Sequence, residues 1–286
     1  MINIENRVCA IIVSYNDPSA LSLNLDALKN QVEMIIVVDN GSREPTQKYL
    51  AGLIQNSKIH LLRLDENLGV GKALNEGVKI AQLRGFDWIL TLDQDSRPCD
   101  NMVEKLLVGA HSHAKNKVGI IAPRLVSKTQ KNKIASDRIL SYSITSGNLI
   151  NTNLYNSIGY YNEKYFIDSV DFDFSLRVRE GGYSIVEIGG ACLIHDIGSH
   201  EGGNWISRVL GLTLHSPLRR YYMIRNHFFL TKQFWNKFPY LIAKKNISLI
   251  VLLFKIFIFE RQRCENVRMV KLGLVDYLKN KGGKFV

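Results

Sequence analysis

The chain lacks most of the features that would place it outside ordinary globular enzymes. It has four cysteines, Cys9, Cys99, Cys192 and Cys264, which lie far apart with no CxxC pair. That argues against a clustered zinc site and gives no disulfide framework, so isolated thiols are expected. Met1 to Arg7 carries no basic stretch followed by a long apolar run, so no signal peptide is visible and a cytoplasmic protein is expected. No internal repeat or low-complexity tract stands out. A dinucleotide fingerprint is missing too: the first strand-like run leads into Ser14-Tyr15-Asn16 and not into GxGxxG, which argues against a nucleotide-dependent oxidoreductase. What is present is ordinary for a folded chain of 286 residues, 46% hydrophobic and 22% charged, long enough for one α/β domain with an appendage.

Charge is unbalanced, with 37 Lys and Arg against 26 Asp and Glu and a net charge of +11. Arg219, Arg220, Lys244, Lys245, Arg261, Arg263, Arg268 and Lys271 concentrate it in the last quarter, which calls for an anionic partner or a solvated face. Tyr221, Tyr222 and Phe228 sit near arginines, but no nucleic-acid-binding motif accompanies them, and nucleic acid is not expected. The run Ile247 to Phe259 is broken only by Ser248 and Lys255 and is flanked by cations on both sides. It is short of the about 20 apolar residues of a membrane span. The pattern suits a helix lying in an anionic membrane surface; the alternative is a helix burying its apolar side against the catalytic domain.

Apolar runs of strand length alternate with amphipathic stretches through the first third. Strands are predicted at Val8–Val13, Met34–Val38, Ile59–Leu64 and Trp88–Leu92, and helices at Ser19–Lys29, Pro45–Ile54 and around Val70, Leu74, Val78 and Ala81. Such βα units imply a mainly parallel sheet covered by helices on both faces, with ligands at the carboxyl ends of the strands. Further strands are predicted at Val118–Val126 and Tyr142–Ile150, and the chain reads as helical after Ser216. A catalytic domain over 1–215 and a basic helical region over 216–286 follow.

The strand ends carry the polar residues. Ser14, Tyr15 and Asn16 follow the first strand, and Asp39-Asn40-Gly41-Ser42 the second, where a carboxylate can accept from a base or a ribose; a plain turn is the alternative. Glu66 to Lys72, with Asn67, Gly69 and Gly71, opens a helix where free N–H groups attract phosphate. Asp93 and Asp95 leave the fourth strand two residues apart and so can address one ligand, the hard oxygen set that suits Mg2+ or Mn2+. The alternative is that one of them caps a helix starting near Asp100. A second acidic cluster spans Phe166 to Arg177. With a helix starting near Ser169, Asp171 and Asp173 lie about 200° apart and cannot line one pocket. Asp173 has the spacing of an ion pair with Arg177, leaving Asp171 as the candidate general base; Asp168 competes but better suits a helix cap.

Taken together, Ala10 to Asn16, Val37 to Ser42, Asn67-Leu68-Gly69 with Ala73-Leu74-Asn75, Asp93-Gln94-Asp95, Phe166 to Asp171 and Leu193 to Gly198 resemble the inverting family 2 glycosyltransferases of GT-A fold, and among them bacterial L-rhamnosyltransferases of surface polysaccharide synthesis. The resemblance covers roughly residues 7 to 235. It implies a Rossmann-like GT-A domain with a basic helical extension. Tyr15 and Asp39 would contact nucleobase and ribose, and Asp93 and Asp95 the metal diphosphate, with His195 as a further metal or diphosphate contact. Asp171 would be the base, with Val170 standing where many relatives have Glu. It also implies dTDP-L-rhamnose as donor, with a UDP-hexose as the alternative, a lipid-linked saccharide acceptor and a place on the inner membrane surface; Arg219 and Arg225 are candidate diphosphate cations, the alternative being that they bridge helix and sheet.

Overall fold

The computed structural model describes residues 7–17, 21–53, 57–127, 135–195, 216–259 and 263–285. The chain divides into two compact units, one of residues 1–163 and 170–196 and the other of 164–169 and 197–286. The boundary expected at 215/216 lies at the edge of 196–215, outside the described residues.

The first unit is built on a sheet whose described strands run β3-β2-β1-β4-β8-β6-β9-β5, with β7 paired to β9. Its parallel half is the one expected: β1 (Val8–Ser14), β2 (Met34–Asp39), β3 (Ile59–Arg63) and β4 (Trp88–Asp93). β1 and β2 are almost wholly buried, as continuous apolar runs must be when helices cover both faces. The helices are α1 (Leu21–Leu28), α2 (Glu44–Leu53), α3 (Val70–Leu83), α4 (Met102–Ser112), α5 (Leu154–Ile158) and α6 (Val170–Glu180). The predicted helix boundaries at Ser19 and Ile54 fall outside the described residues. α3 lies close on the sheet because Gly77 has no side chain: a Cβ there would come 2.6 Å from Ile11 Cγ2 and 3.3 Å from Val38 Cγ2.

The other half of the sheet departs from the expectation. β6 (Val118–Val126) is present, but the predicted strand Tyr142–Ile150 shrinks to β8 (Leu149–Asn151), antiparallel to β4 and β6. The residues before β8 fold back on themselves instead. Ser143 Oγ donates to Asn148 Oδ1 at 2.7 Å, and Gly147 takes φ +89°. A side chain at Gly147 would meet Pro123 Cγ at 2.5 Å, so the tight turn depends on glycine. Tyr142, Ile144, Leu149 and Ile150 give the stretch strand-like apolar content, while the hydroxyl and amide groups between them hydrogen-bond locally.

β9 (Ser184–Ile194) runs parallel to β6 and receives two short antiparallel partners, β5 (Arg97–Pro98) and β7 (Arg138–Ile139). The β5–β9 pair is also crosslinked. Cys99 and Cys192, expected to be isolated thiols, are joined as a disulfide with Cα atoms 5.6 Å apart. Their separation of 93 residues hid the pairing, because no local spacing rule reaches that far. Cys9 is buried and Cys264 exposed, and both are free thiols.

The second unit contains α7 (Pro217–Phe234), α8 (Pro239–Phe259) and α9 (Arg263–Leu278), so the helical reading after Ser216 holds. Ser216 caps α7 by accepting the Arg219 N–H at 3.3 Å, and Pro217 occupies the first turn, where its missing N–H costs nothing. α9 lies close to α7 at Gly273, where a Cβ would sit 2.6 Å from the Tyr221 carbonyl oxygen. Arg225 is fully buried. Its guanidinium donates to the carbonyls of Gly283 at 2.8 Å, Lys164 at 3.2 Å and Tyr165 at 3.3 Å, and to Tyr221 Oη at 3.1 Å. Beside it, buried Asn226 donates from Nδ2 to the carbonyls of Tyr165, Ile167 and Asp168, holding a segment in which Phe166, Asp168 and Ser169 all have positive φ. Three non-glycine residues in the left-handed region need such support.

Candidate active site

The carboxyl ends of β1, β2 and β4 lie side by side, with Ser14 registered on Asp39 and Val13 on Asp93. Two parts of a site sit on this edge.

The first part is a polar niche between β1 and β2. Ser14 and Asp39 are both fully buried, and Ser14 Oγ and one Asp39 carboxylate oxygen, Oδ2, have no hydrogen-bond partner. The other oxygen accepts the Ser42 N–H, three residues on, at 3.0 Å. Asp39 to Ser42 thus forms a turn that uses one carboxylate oxygen and leaves the other without a protein partner. Buried polar atoms without partners are costly, so these two are unusual for a folded core. Tyr15 is 43% exposed, its amide N–H fixed on Gln94 Oε1 at 3.0 Å, which leaves its ring available as a stacking face.

The neighbouring loops are tied together. Asn16 Oδ1 accepts the Arg43 N–H at 2.9 Å, and the Asn16 N–H donates to Ser42 Oγ at 2.9 Å. Asn67 Oδ1 accepts from Asn40 Nδ2 at 3.1 Å and from the Gly69 N–H at 2.9 Å, while Asn40 Oδ1 accepts the Leu68 N–H at 3.0 Å. Gly41, at φ +75°, lets these loops touch, since a Cβ would collide with the backbone of Glu66 and Asn67. Asn16 and Asn67 thus shape the niche through their side chains. Gly69, at φ +88°, precedes the first turn of α3. Lys72 is engaged by Glu76 at 3.1 Å and Glu163 at 3.5 Å; the hydrogen bond to Glu76 is the main reason its ammonium is held above the usual lysine range.

The second part is a cluster of metal-ligand type. Asp93, Asp95 and His195 each offer a ligand atom, and these atoms lie within 4.8 Å of one another. β5 makes the cluster possible, because its pairing with the end of β9 sets Arg97 against Ile194 and brings the strand leading to His195 beside the loop after Asp95. The capping alternative for Asp93 or Asp95 fails: α4 begins at Met102, next to Asn101, which itself has φ +57°. The Asp93 backbone is held from two sides, its carbonyl accepting from Asn24 Nδ2 at 2.9 Å and its N–H donating to Ser146 Oγ at 3.1 Å.

Asp171 and Asp173 separate as helix geometry predicts. Asp173 is fully buried and accepts from Arg177 Nε at 2.8 Å. Asp171 is half-buried in the first turn of α6 and close enough to Asp93 to act on its ionisation. Burial is the main cause that pushes the Asp93 carboxyl up to about 6, Asp95 and Asp171 add to it by repulsion, and His195 opposes. Asp168, expected as a helix cap, lies in the second unit. Its carboxylate takes the Arg219 guanidinium in a forked contact, with Nη2 to Oδ1 at 3.0 Å and Nε to Oδ2 at 3.2 Å.

Residues 9–176 match the family described as Glycosyl transferase family 2. The chain belongs to that family. It is 27% identical to the dTDP-rhamnosyl transferase RfbF of Shigella flexneri, with 85% of each chain covered. It is also 33% identical to the galactofuranosyltransferase GlfT1 of Mycolicibacterium smegmatis over 37% of this chain and 36% of that one. Among solved structures, GalNAc-T7 with UDP, GalNAc and Mn2+ superimposes with a TM-score of 0.62 at 12% identity, covering 96% of this chain and 57% of that one. S. aureus TarS 1–349 in complex with UDP-GlcNAc does so with a TM-score of 0.54 at 15% identity, covering 96% and 73%. The fold is that of the GT-A glycosyltransferases.

Ser96, Ser146, Asn24 and Gln94 escape a reading of the glycosyltransferase sequence because they act on the site through partners distant in the chain; only Ser96 and Gln94, next to the Asp-x-Asp pair, carry a local hint. The electrostatics of Asp93 give a test. Its folded pKa lies above the ordinary 3.8, so the ionised carboxylate destabilises the metal-free fold at pH 7, and that cost disappears as the pH falls through about 6 toward 4. Asp93→Asn is expected to raise the Tm of the metal-free protein at pH 7 by a few degrees, about 1–2 kcal/mol, and to leave Tm nearly unchanged at pH 4. Calorimetry at both pH values checks this.

Proposed function

We propose that this glycosyltransferase moves L-rhamnose from dTDP-L-rhamnose to a lipid-linked saccharide in the assembly of a surface polysaccharide such as O-antigen, with inversion at the anomeric carbon. The observation that carries the sugar assignment is the likeness to the dTDP-rhamnosyl transferase over 85% of both chains. The unpartnered Ser14 Oγ and Asp39 Oδ2 support a nucleotide at the β1–β2 edge, with Tyr15 against the base and Asn16, Asn67, Gly69 and Lys72 shaping the loops around it.

Asp93, Asp95 and His195 fit Mg2+ or Mn2+ in number and chemistry, because two carboxylates and an imidazole converge where burial and repulsion already burden Asp93. Held by Asp93, Asp95 and His195, a divalent ion would supply positive charge to offset that on the departing diphosphate. Asp171 accepts the proton of the acceptor hydroxyl as that oxygen forms its bond to the anomeric carbon. The bond from that carbon to the diphosphate breaks on the opposite face, so no covalent enzyme intermediate is needed.

For the acceptor side, α8 supports a place on the inner membrane surface. Tyr240, Ile247, Ile250 and Phe254 are each more than 60% exposed on this helix, and Lys244 and Lys245 accompany them. No helix among the described residues is long and apolar enough to cross a membrane, so contact would be peripheral. An exposed apolar stripe beside cations is the form an interfacial helix takes. The side chains of 255–259, and Arg261, lie outside the described residues.

The donor assignment is tested by offering a panel of nucleotide sugars with Mn2+ and then with a chelator: turnover is expected with dTDP-L-rhamnose and metal only, whereas preference for a UDP-hexose would overturn the sugar and full activity under chelation the metal. Asp171→Asn is expected to lower kcat at least 1,000-fold, of the order general-base removal allows, with donor Kd unchanged; near-normal turnover would remove Asp171 from the role. In flotation with vesicles, the protein is expected to bind anionic phosphatidylglycerol bilayers and to lose binding with Ile250→Asp/Phe254→Asp, while equal recovery of wild type and variant would exclude α8 as the contact.

A further inference from the structure

Outside the carboxylates and the imidazole, the strongest unexplained feature of the first unit is a pair of buried serines. Ser96 and Ser146 are each 1% exposed and come from segments 50 residues apart in sequence. Their hydroxyls hydrogen-bond at 2.7 Å. At one end of the pair the Asp93 N–H donates to Ser146 Oγ at 3.1 Å; at the other, Ser96 Oγ lies 2.8 Å from His195 Nδ1. A continuous hydrogen-bonded path thus runs from the backbone of one candidate ligand to the ring of another.

We propose that Ser96 and Ser146 are positioning residues that fix His195 as the third metal ligand and hold it in register with Asp93. The proposal rests on the metal reading above and adds to it the device that aligns the ligands. With Nδ1 committed to Ser96, Nε2 is the nitrogen left for a metal. An imidazole that gives Nε2 to a cation keeps its remaining proton on Nδ1, and the Ser96 oxygen stands there to accept it. Ser146 in turn fixes Ser96, and its own position is set by the turn before β8. In that turn the Thr91 hydroxyl donates to the Thr145 carbonyl at 2.6 Å, and the Gly147 N–H donates to the Thr91 carbonyl at 2.7 Å. Gly147 completes the turn against Pro123 and Leu193. β4 thereby supplies Asp93 and anchors the serines that orient His195.

The test is Mn2+ binding to the full, metal-free chain, measured as free Mn2+ by electron paramagnetic resonance for wild type, Ser96→Ala and Ser146→Ala. A second arm records 15N spectra of the imidazole in wild type with and without Mg2+. Ser96→Ala is expected to weaken Mn2+ binding roughly 10- to 100-fold, Ser146→Ala by a smaller factor, and Mg2+ is expected to lock wild-type His195 with its proton on Nδ1. Wild-type affinity in both variants would overturn the positioning role and leave the metal site intact. A wild type that binds no Mn2+ would overturn the metal reading and this inference together. Should Ser96→Ala fail to fold, Ser146→Ala and the wild-type spectra decide: unchanged affinity, or a Mg2+-loaded His195 without a proton on Nδ1, contradicts the proposal.

Discussion

Much of this molecule turns on one unfavourable interaction, the ionisation of Asp93 at the end of an apolar strand with two further carboxylates near it. Water is partly excluded there, and Asp95 and Asp171 add repulsion that His195 only partly offsets. A fold tolerates such an arrangement when something else gains from it, and two carboxylates and an imidazole within 4.8 Å could hold a metal ion. The surrounding structure keeps the carboxylate from relaxing away. Asn24 holds its carbonyl, Ser146 its N–H, and β4 is buried on both sides between β1 and β8.

The same economy appears at the edge formed by β1 and β2. Gly41 brings two loops into contact, and Asn40 and Asn67 lock them with reciprocal amide bonds. The result is a rigid rim around two polar atoms that lack partners, Ser14 Oγ and Asp39 Oδ2. Rigid surroundings with unmet hydrogen-bonding capacity are what a preorganised binding site consists of. The second unit uses the opposite device: Arg225 and Asn226 spend their donors on backbone carbonyls and hold the left-handed stretch around Asp168.

The parallel half of the sheet was legible because each strand is a continuous apolar run followed by polar turn residues, a local signal that needs no distant partner. The convergence of Asp93 and Asp95 and the ion pair of Asp173 with Arg177 were legible for the same reason, through strand and helix periodicity. The stretch from Tyr142 misled because its apolar residues at both ends suggest a strand while the hydroxyls between them close a turn. Cys99 with Cys192, and Ser96 with Ser146 and His195, were out of reach, since each depends on β5 folding against β9, and a two-residue strand such as Arg97–Pro98 has no period to read. His195 entered only through resemblance to a family, which supplied a long-range relation that spacing could not.

The most direct measurement of the central claim is the titration of the Asp93 carboxyl by 13C NMR in metal-free protein and again with saturating Mg2+. The account predicts a midpoint near 6 without metal, well above an ordinary aspartate, and a fall of at least two pH units when Mg2+ is present. A midpoint near 4 that Mg2+ leaves unmoved would contradict it.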